Sequence, residues 1–273
     1  DRHRPDAMPA APDTPTGPLD GYRVIDLTSI GMGPMATQLL GDMGADVIKV
    51  ESPDGDLFRH VTPQRHPGMS HAYLNLNRNK RSVVLDAKTP EGREAMGRLI
   101  DGADVFVSNV RPEALARLGL DWASLRARNP RLVYCGCHGY GSDGPYGGRA
   151  SLDDVIQAAS GMAWFQGVGT DAPRYVNTVA ADKVCALYTA NAITMALLAR
   201  QRTGRGQAVE VPMFECLVSF MLPEHLAGAT FIPPQGPPGY ARLLNEYRRP
   251  CRSRDGFIAV VPYTEAQWRR FFT

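Results

Sequence analysis

Gly31-Met-Gly33-Pro-Met-Ala36 follows a short apolar run, and Glu51 closes a second such run about 20 residues after the first glycine. The spacing mimics a dinucleotide fingerprint, in which glycines let backbone N–H groups approach a pyrophosphate and an acid reads the ribose. Two features argue against it. Thr28-Ser29-Ile30 separates the first run from the first glycine, where the fingerprint wants a tight turn at once, and Pro34 removes one N–H from the cradle. Approach to a phosphate-like ligand and a merely structural turn both remain compatible with these residues.

Three cations and three amides stand together in Asn75-Leu-Asn-Arg-Asn-Lys-Arg81, suited either to a dispersed anionic ligand or to a solvated turn. The same pair of readings holds for Arg111 and Arg117 beside Asn109. Arg202-Thr-Gly-Arg-Gly206 reads as a cationic helix end with a glycine stop. Asp182 precedes a long apolar stretch, where a carboxylate is the expected N-cap. His138, in Cys137-His-Gly-Tyr-Gly141, follows another strand-like run and suits a base, a ligand or a packed side chain. No second histidine sits at metal spacing and no G-x-S-x-G occurs, so neither a metal site nor a Ser/His/Asp triad is expected.

These residues need elements to hold them. Tyr22 to Leu27 predicts a strand, Met35 to Met43 a helix stopped at Gly44-Ala45, and Asp46 to Val50 a second strand. That βαβ unit implies parallel pairing, with the first turn at the carboxyl edge of the sheet, where ligands bind. Ser82–Asp86, Asp104–Val107, Arg131–Cys135 and Ala208–Val211 read as further strands. Helices are expected from Glu91 to Ile100, behind a Thr89 N-cap and a first-turn Pro90, and over Pro112–Arg128, Asp153–Phe165, Lys183–Arg202 and Met213–Met221. The alternation predicts an open α/β sheet covered on both faces. Four prolines and two glycines in Phe231 to Gly239 mark a boundary, after which Gly256–Val261 reads as a strand and Glu265–Phe272 as the start of a helix. A fold ending in mid-helix is expected to be a fragment. The expected division is a flexible tail over 1–17, a large domain over 18–225, and a linker with the beginning of a small domain over 226–273.

The 273 residues are 44% apolar and 21% charged, with 30 basic against 28 acidic side chains, the composition of a globular chain with a real core. No surplus positive charge is present to hold a nucleic acid. Val184 to Ala199, interrupted by Thr189, Asn191 and Thr194, is shorter than the roughly 18 apolar residues a membrane span requires. The 5 cysteines contain no CxxC pair and read as reduced core thiols of a cytoplasmic protein.

The order of these segments resembles the family III CoA-transferases of the CaiB/BaiF type. The resemblance is carried by Pro18–Leu27, Gly33-Pro34, Gly44–Glu51, Asn79–Ser82, Asp86–Gly92, Asn109–Pro112, Leu115–Gly119, Asn129-Pro130, Gly139-Tyr140, Gly144–Tyr146, Gln157–Gly161 and Thr203–Gln207. It implies a Rossmann-like parallel sheet with CoA along its carboxyl edge, a second smaller domain, and two chains interlocked as rings. No permanently bound cofactor or metal is implied. CoA and acyl-CoA are substrates, with a free carboxylic acid as the second partner.

Residue by residue, the resemblance puts the catalytic aspartate at Asp182, which would carry the acyl group as an anhydride and then CoA as a thioester. It puts CoA binding at Ile30 and Gly31, at Leu85 to Lys88, at Asn109, Val110 and Arg111, and at Arg117, with Lys88, Arg111 and Arg117 facing phosphates. Ser52 departs from the arginine often found after the second-strand glutamate. An α-methylacyl-CoA racemase is the alternative within the superfamily, but it needs a histidine where this chain has Leu152. Glu265 matches a second acidic position and suits either activity. An inactive CoA-binding module is the alternative of a different class.

Overall fold

Six parallel strands form the centre of the computed structural model, which describes residues 17–273. They are β1 (Arg23–Leu27), β2 (Asp46–Glu51), β3 (Lys80–Val84), β4 (Val105–Ser108), β5 (Val133–His138) and β6 (Ala208–Pro212), in the order β3-β2-β1-β4-β5-β6. The chain winds outward from β1 to β3, then returns to lay β4 on the other side of β1. The crevice outside the carboxyl ends of β1 and β4 is therefore the topological switch point of the sheet. The tail expected over 1–17 lies outside the described residues, Gly17 excepted.

Successive strand residues face opposite layers, which is why the strands are almost continuously apolar. Val24, Val47, Val105 and Val133 join one core with α1 (Met32–Asp42), α8 (Ala180–Thr203) and α9 (Met213–His225). Ile25, Ile48 and Phe106 join another with α3 (Pro90–Asp101) and the short α4 (Pro112–Arg117) and α5 (Trp122–Arg128). Each large side chain buried this way contributes about 1.5–3 kcal/mol.

Several helices differ from the periodicity-based expectation, each for a local reason. α1 begins three residues before Met35 because Pro34 falls in the first turn, where no N–H donor is required. The helix expected over Pro112–Arg128 divides into α4 and α5 at Gly119, with φ +68°, and Asp121 caps α5. The one expected over Asp153–Phe165 divides into α6 (Asp153–Ala159) and α7 (Met162–Gln166) at Gly161, with φ +86°. Thr89 caps α3 as expected, accepting from Gly92 N at 3.0 Å, and Gly204 ends α8 in the left-handed conformation.

An unanticipated short helix, α2 (His71–Leu76), lies between β2 and β3. Beyond α9 come an antiparallel pair, β7 (Cys251–Arg252) with β8 (Phe257–Ile258), and α10 (Glu265–Phe272). The strand expected over Gly256–Val261 is thus reduced to its first apolar pair. No helix among the described residues is long and apolar enough to cross a membrane.

Candidate active site

The turn Thr28–Gly31 leaves β1 at the switch point, and Asn109 leaves β4 beside it. Asn109 Oδ1 accepts from Ser29 N at 3.1 Å, and its Nδ2 donates to Ser29 O at 2.8 Å. One amide side chain thereby ties together the two strand ends between which the crevice opens.

α8 packs along α1, and this brings Asp182 to the start of α1. Asp182 is not the N-cap expected of it. It is the third residue of α8, whose N-cap position is Val179, without a capping side chain. The capping oxygen comes from a different helix: Asp153 Oδ1 of α6 accepts from Asp182 N at 2.9 Å. Asp153 is held by Gln157 one turn on, whose Nε2 donates to Asp153 Oδ2 at 2.5 Å. Gln157 Oε1 also accepts from Val176 N at 2.9 Å, pinning the approach to α8.

The Asp182 carboxylate lies beside the backbone N–H of Met32, the first residue of α1, and this N–H favours its charged form. Gly31 makes room for it, since a Cβ there would lie 2.2 Å from Asp182 Oδ2. Burial, then the nearby Asp153 charge, push the Asp182 carboxyl up to about 6, against the pull of the Met32 N–H. A carboxyl that ionises near pH 6, so that most of it is nucleophilic carboxylate at neutrality, and that sits at a helix N-terminus is a candidate nucleophile.

Asp182 opens onto a cavity of about 410 Å³ at the sheet's carboxyl edge, where Ile30, Gly31, Asn109 and Arg111 also form the wall. Five of the residues that the resemblance gives to catalysis or CoA binding thus converge. Leu85, Lys88, Val110 and Arg117 do not line this cavity. Leu85 is half-buried after β3, donating its N–H to Glu51 O at 2.9 Å. Lys88 and Arg117 are exposed, the first in the turn after β3 and the second at the end of α4, and Val110 packs against the core. His138 does line the cavity, and burial lowers its pKa although Glu210 and Glu113 pull the other way. Leu152 is in the wall as well, 63% exposed. Glu265 is exposed and pairs with Arg269 on its own helix, 2.6 Å away.

The nucleotide-like signals have internal explanations. Glu51 is buried with both oxygens engaged: Oε1 accepts from Arg59, Tyr73 and Ser82, and Oε2 from Arg59 and Asp56 N. Burial opposes its charge, but these donors hold its pKa at about 2. No lone pair is left over for a ribose hydroxyl. The cations of Asn75–Arg81 are likewise engaged, Arg78 with Asp42, Lys80 with Asp26 and Arg81 with Asp46. Asp153 and Gln157 were not singled out. Their Asp/Gln spacing of four on a helix is legible, but the N–H groups that they hold lie on other elements.

A doubly wound α/β domain with a carboxylate facing its switch-point crevice is the class that fold and site define. The family model of CoA-transferase family III matches residues 19–273. A probable fatty acyl-CoA transferase of Mycobacterium tuberculosis is 35% identical over 272 residues, covering 94% of this chain and 68% of that protein. The succinate–glutarate CoA-transferase of Agrobacterium fabrum is 36% identical over 265 residues, covering 93% of this chain and 65% of its own length. Among solved structures, a CaiB/BaiF family protein from Brucella suis superposes with a TM-score of 0.76 at 39% identity, over 82% of this chain and 59% of that one. This chain belongs to the family III CoA-transferases. It spans about two thirds of the length of the first two curated relatives and 54% of a succinyl-CoA–D-citramalate CoA-transferase from Chloroflexus aurantiacus.

Proposed function

We propose that this chain carries the nucleophile and the CoA-binding edge of an acyl-CoA:carboxylic acid CoA-transferase. The observation that supports this most strongly is the Asp182 carboxylate, held against the N-terminus of α1 and open to the switch-point cavity. In this reading an Asp182 oxygen attacks the thioester carbonyl, the C–S bond breaks, and CoA leaves as thiolate. The thiolate then attacks Asp182 Cγ in the resulting anhydride and expels the donor acid as its carboxylate. An incoming carboxylate attacks the aspartyl thioester, and the returning thiolate takes the new acyl group and frees Asp182. When Cγ turns tetrahedral, its oxygen facing Met32 N gains charge, so this N–H stabilises it. The donor comes from α1 and not from Asp182's own helix.

Residues 18–225 form the CoA-binding domain in this reading, and 226–273 the linker and beginning of the small domain. An interlocked homodimer accords with the apolar side chains that α8 leaves exposed, Leu187 at 56%, Met195 at 62% and Leu198 at 60%. A full-length protein sedimenting as a monomer at micromolar concentration would contradict it.

Lys88, Arg111 and Arg117 are assigned to the phosphates of CoA. Unlike Arg78, Lys80 and Arg81, they take part in no ion pair among the described residues. Alanine at each is expected to weaken CoA binding about tenfold or more, as loss of a charge-assisted bond implies. Calorimetric affinity unchanged in the triple variant would remove the assignment.

The activity itself is tested by incubating the full-length protein with acyl-CoA donors and free acids and following CoA by mass spectrometry. Short dicarboxylates and fatty acids head the panel because the relatives are named for both. A racemase reading has one observation in its favour, His138 in the same cavity wall as Asp182. Racemisation exchanges the α-proton with solvent, whereas acyl transfer leaves the α-carbon untouched. We therefore expect CoA to move to the added acid without deuterium uptake at C2 of a 2-methylacyl-CoA in heavy water. Rapid uptake without transfer would establish the racemase, and CoA binding with neither reaction would establish a binding module.

A further inference from the structure

We infer that Lys49 and Asp56 are positioning residues for the transfer reaction, a buried ion pair that clamps Ile30 in the left-handed conformation and so sets Gly31 and Met32 against the Asp182 carboxylate. The inference rests on Asp182 being the nucleophile. Ile30 has φ +73°, a conformation that branching at Cβ makes strongly unfavourable and that persists only where the surroundings over-determine it. Here they do. Thr28 N donates to Asp26 Oδ1 at 3.0 Å, and Thr28 O accepts from Lys49 Nζ at 2.8 Å. Asn109 takes both polar groups of Ser29, and Ile30 N donates to Asp56 Oδ1 at 3.1 Å. Every backbone polar group from Thr28 N to Ile30 N therefore ends on a side chain.

Lys49 and Asp56 lie 2.9 Å apart with side-chain exposures of 0% and 1%, and neither is in the cavity wall. Asp56 Oδ2 makes this ion pair without an aligned hydrogen bond, while Oδ1 takes Ile30 N and Phe58 N. An isolated buried pair is poor at adding stability, because desolvation offsets the attraction. Its geometric effect is plain: both ends grip the turn that delivers Gly31 and Met32 to Asp182.

The test uses the full-length protein with Lys49→Met and Asp56→Ala, which removes the oxygen that takes Ile30 N, assayed for kcat, KM for acyl-CoA and hydroxylamine-trapped adduct on the peptide holding Asp182. Each variant is expected to lose about 100-fold in kcat, the effect of misplacing a reacting group by about 1 Å, with KM nearly unchanged. Adding Ile30→Gly to Asp56→Ala is expected to restore about tenfold, since glycine adopts positive φ without a clamp. If either single variant fails to fold, Lys49→Met with Asp56→Leu removes both charges together and is read in its place. Wild-type kcat in the folded variants, or a loss that Ile30→Gly leaves untouched, overturns the clamp while an Asp182 adduct still forms in the wild type. Absence of that adduct in the wild type overturns the underlying assignment instead.

Discussion

Asp182→Asn is expected to abolish CoA transfer, lowering kcat on the order of 10⁴-fold, as removal of a covalent nucleophile does elsewhere. CoA affinity by calorimetry should change little, because the cations proposed to face the phosphates lie on other elements. Hydroxylamine should label the peptide holding Asp182 in the wild type only, and a variant that turns over at the wild-type rate would dismiss the nucleophile. With the carboxyl pushed up to about 6 by burial and the Asp153 charge, kcat/KM should rise with pH through an apparent value near there as the carboxylate ionises. Asp153→Asn should move that rise to lower pH, since a neighbouring negative charge is removed while an oxygen to cap Asp182 N is retained. The stability sign is the reverse. A raised folded-state pKa means that the native state keeps a proton the unfolded chain has released, so this group's stabilising contribution is full below about 4 and lost as pH rises through about 6. Asp182→Asn should accordingly unfold at a higher temperature than wild type at pH 8, with the advantage fading at pH 4.

Gly31→Ala is expected to cost about 100-fold in kcat through one methyl group. The added Cβ would lie 2.2 Å from Asp182 Oδ2 and 2.7 Å from its Cγ, well inside van der Waals contact. The carboxylate must leave the Met32 N–H, and with it both the helix N-terminus and the line of attack on a thioester. Gly102→Ala is the control, because its new Cβ would meet only Arg23 at 3.5 Å, far from the cavity. Steady-state kinetics on the two variants decide the matter: equal rates would show that Asp182 reacts from another position.

Much of the scaffold was legible along the chain because its causes are local. Apolar runs of strand length, helical spacing between them, and Thr89 ahead of Pro90 predicted the six parallel strands and the capped α3. The carboxyl edge as the place of the candidate site followed from the parallel pairing of the βαβ unit, whose first turn lies at that edge. Family motifs then picked out Asp182, Ile30, Gly31, Asn109 and Arg111, which the fold gathers around one cavity. Helix breaks were less legible: Gly119 and Gly161 interrupt otherwise helical patterns because their left-handed φ lets the next element turn back onto the sheet.

Residue type and spacing determined by themselves the α/β class and the strand order's starting unit, and the family resemblance added the residues expected at the carboxyl edge. Only the tertiary structure decided which charges face one another. Lys80, in a run that reads as an anion grip, is buried against Asp26, 54 positions away, and Glu51, in the place of a ribose acid, is saturated by Arg59, Tyr73 and Ser82. Asp182, at a position that reads as a cap, is instead capped by Asp153, 29 positions earlier. Strand and helix follow from periods of two and 3.6 residues, whereas a carboxylate's ionisation and reach follow from whatever packing brings within a few ångströms of it.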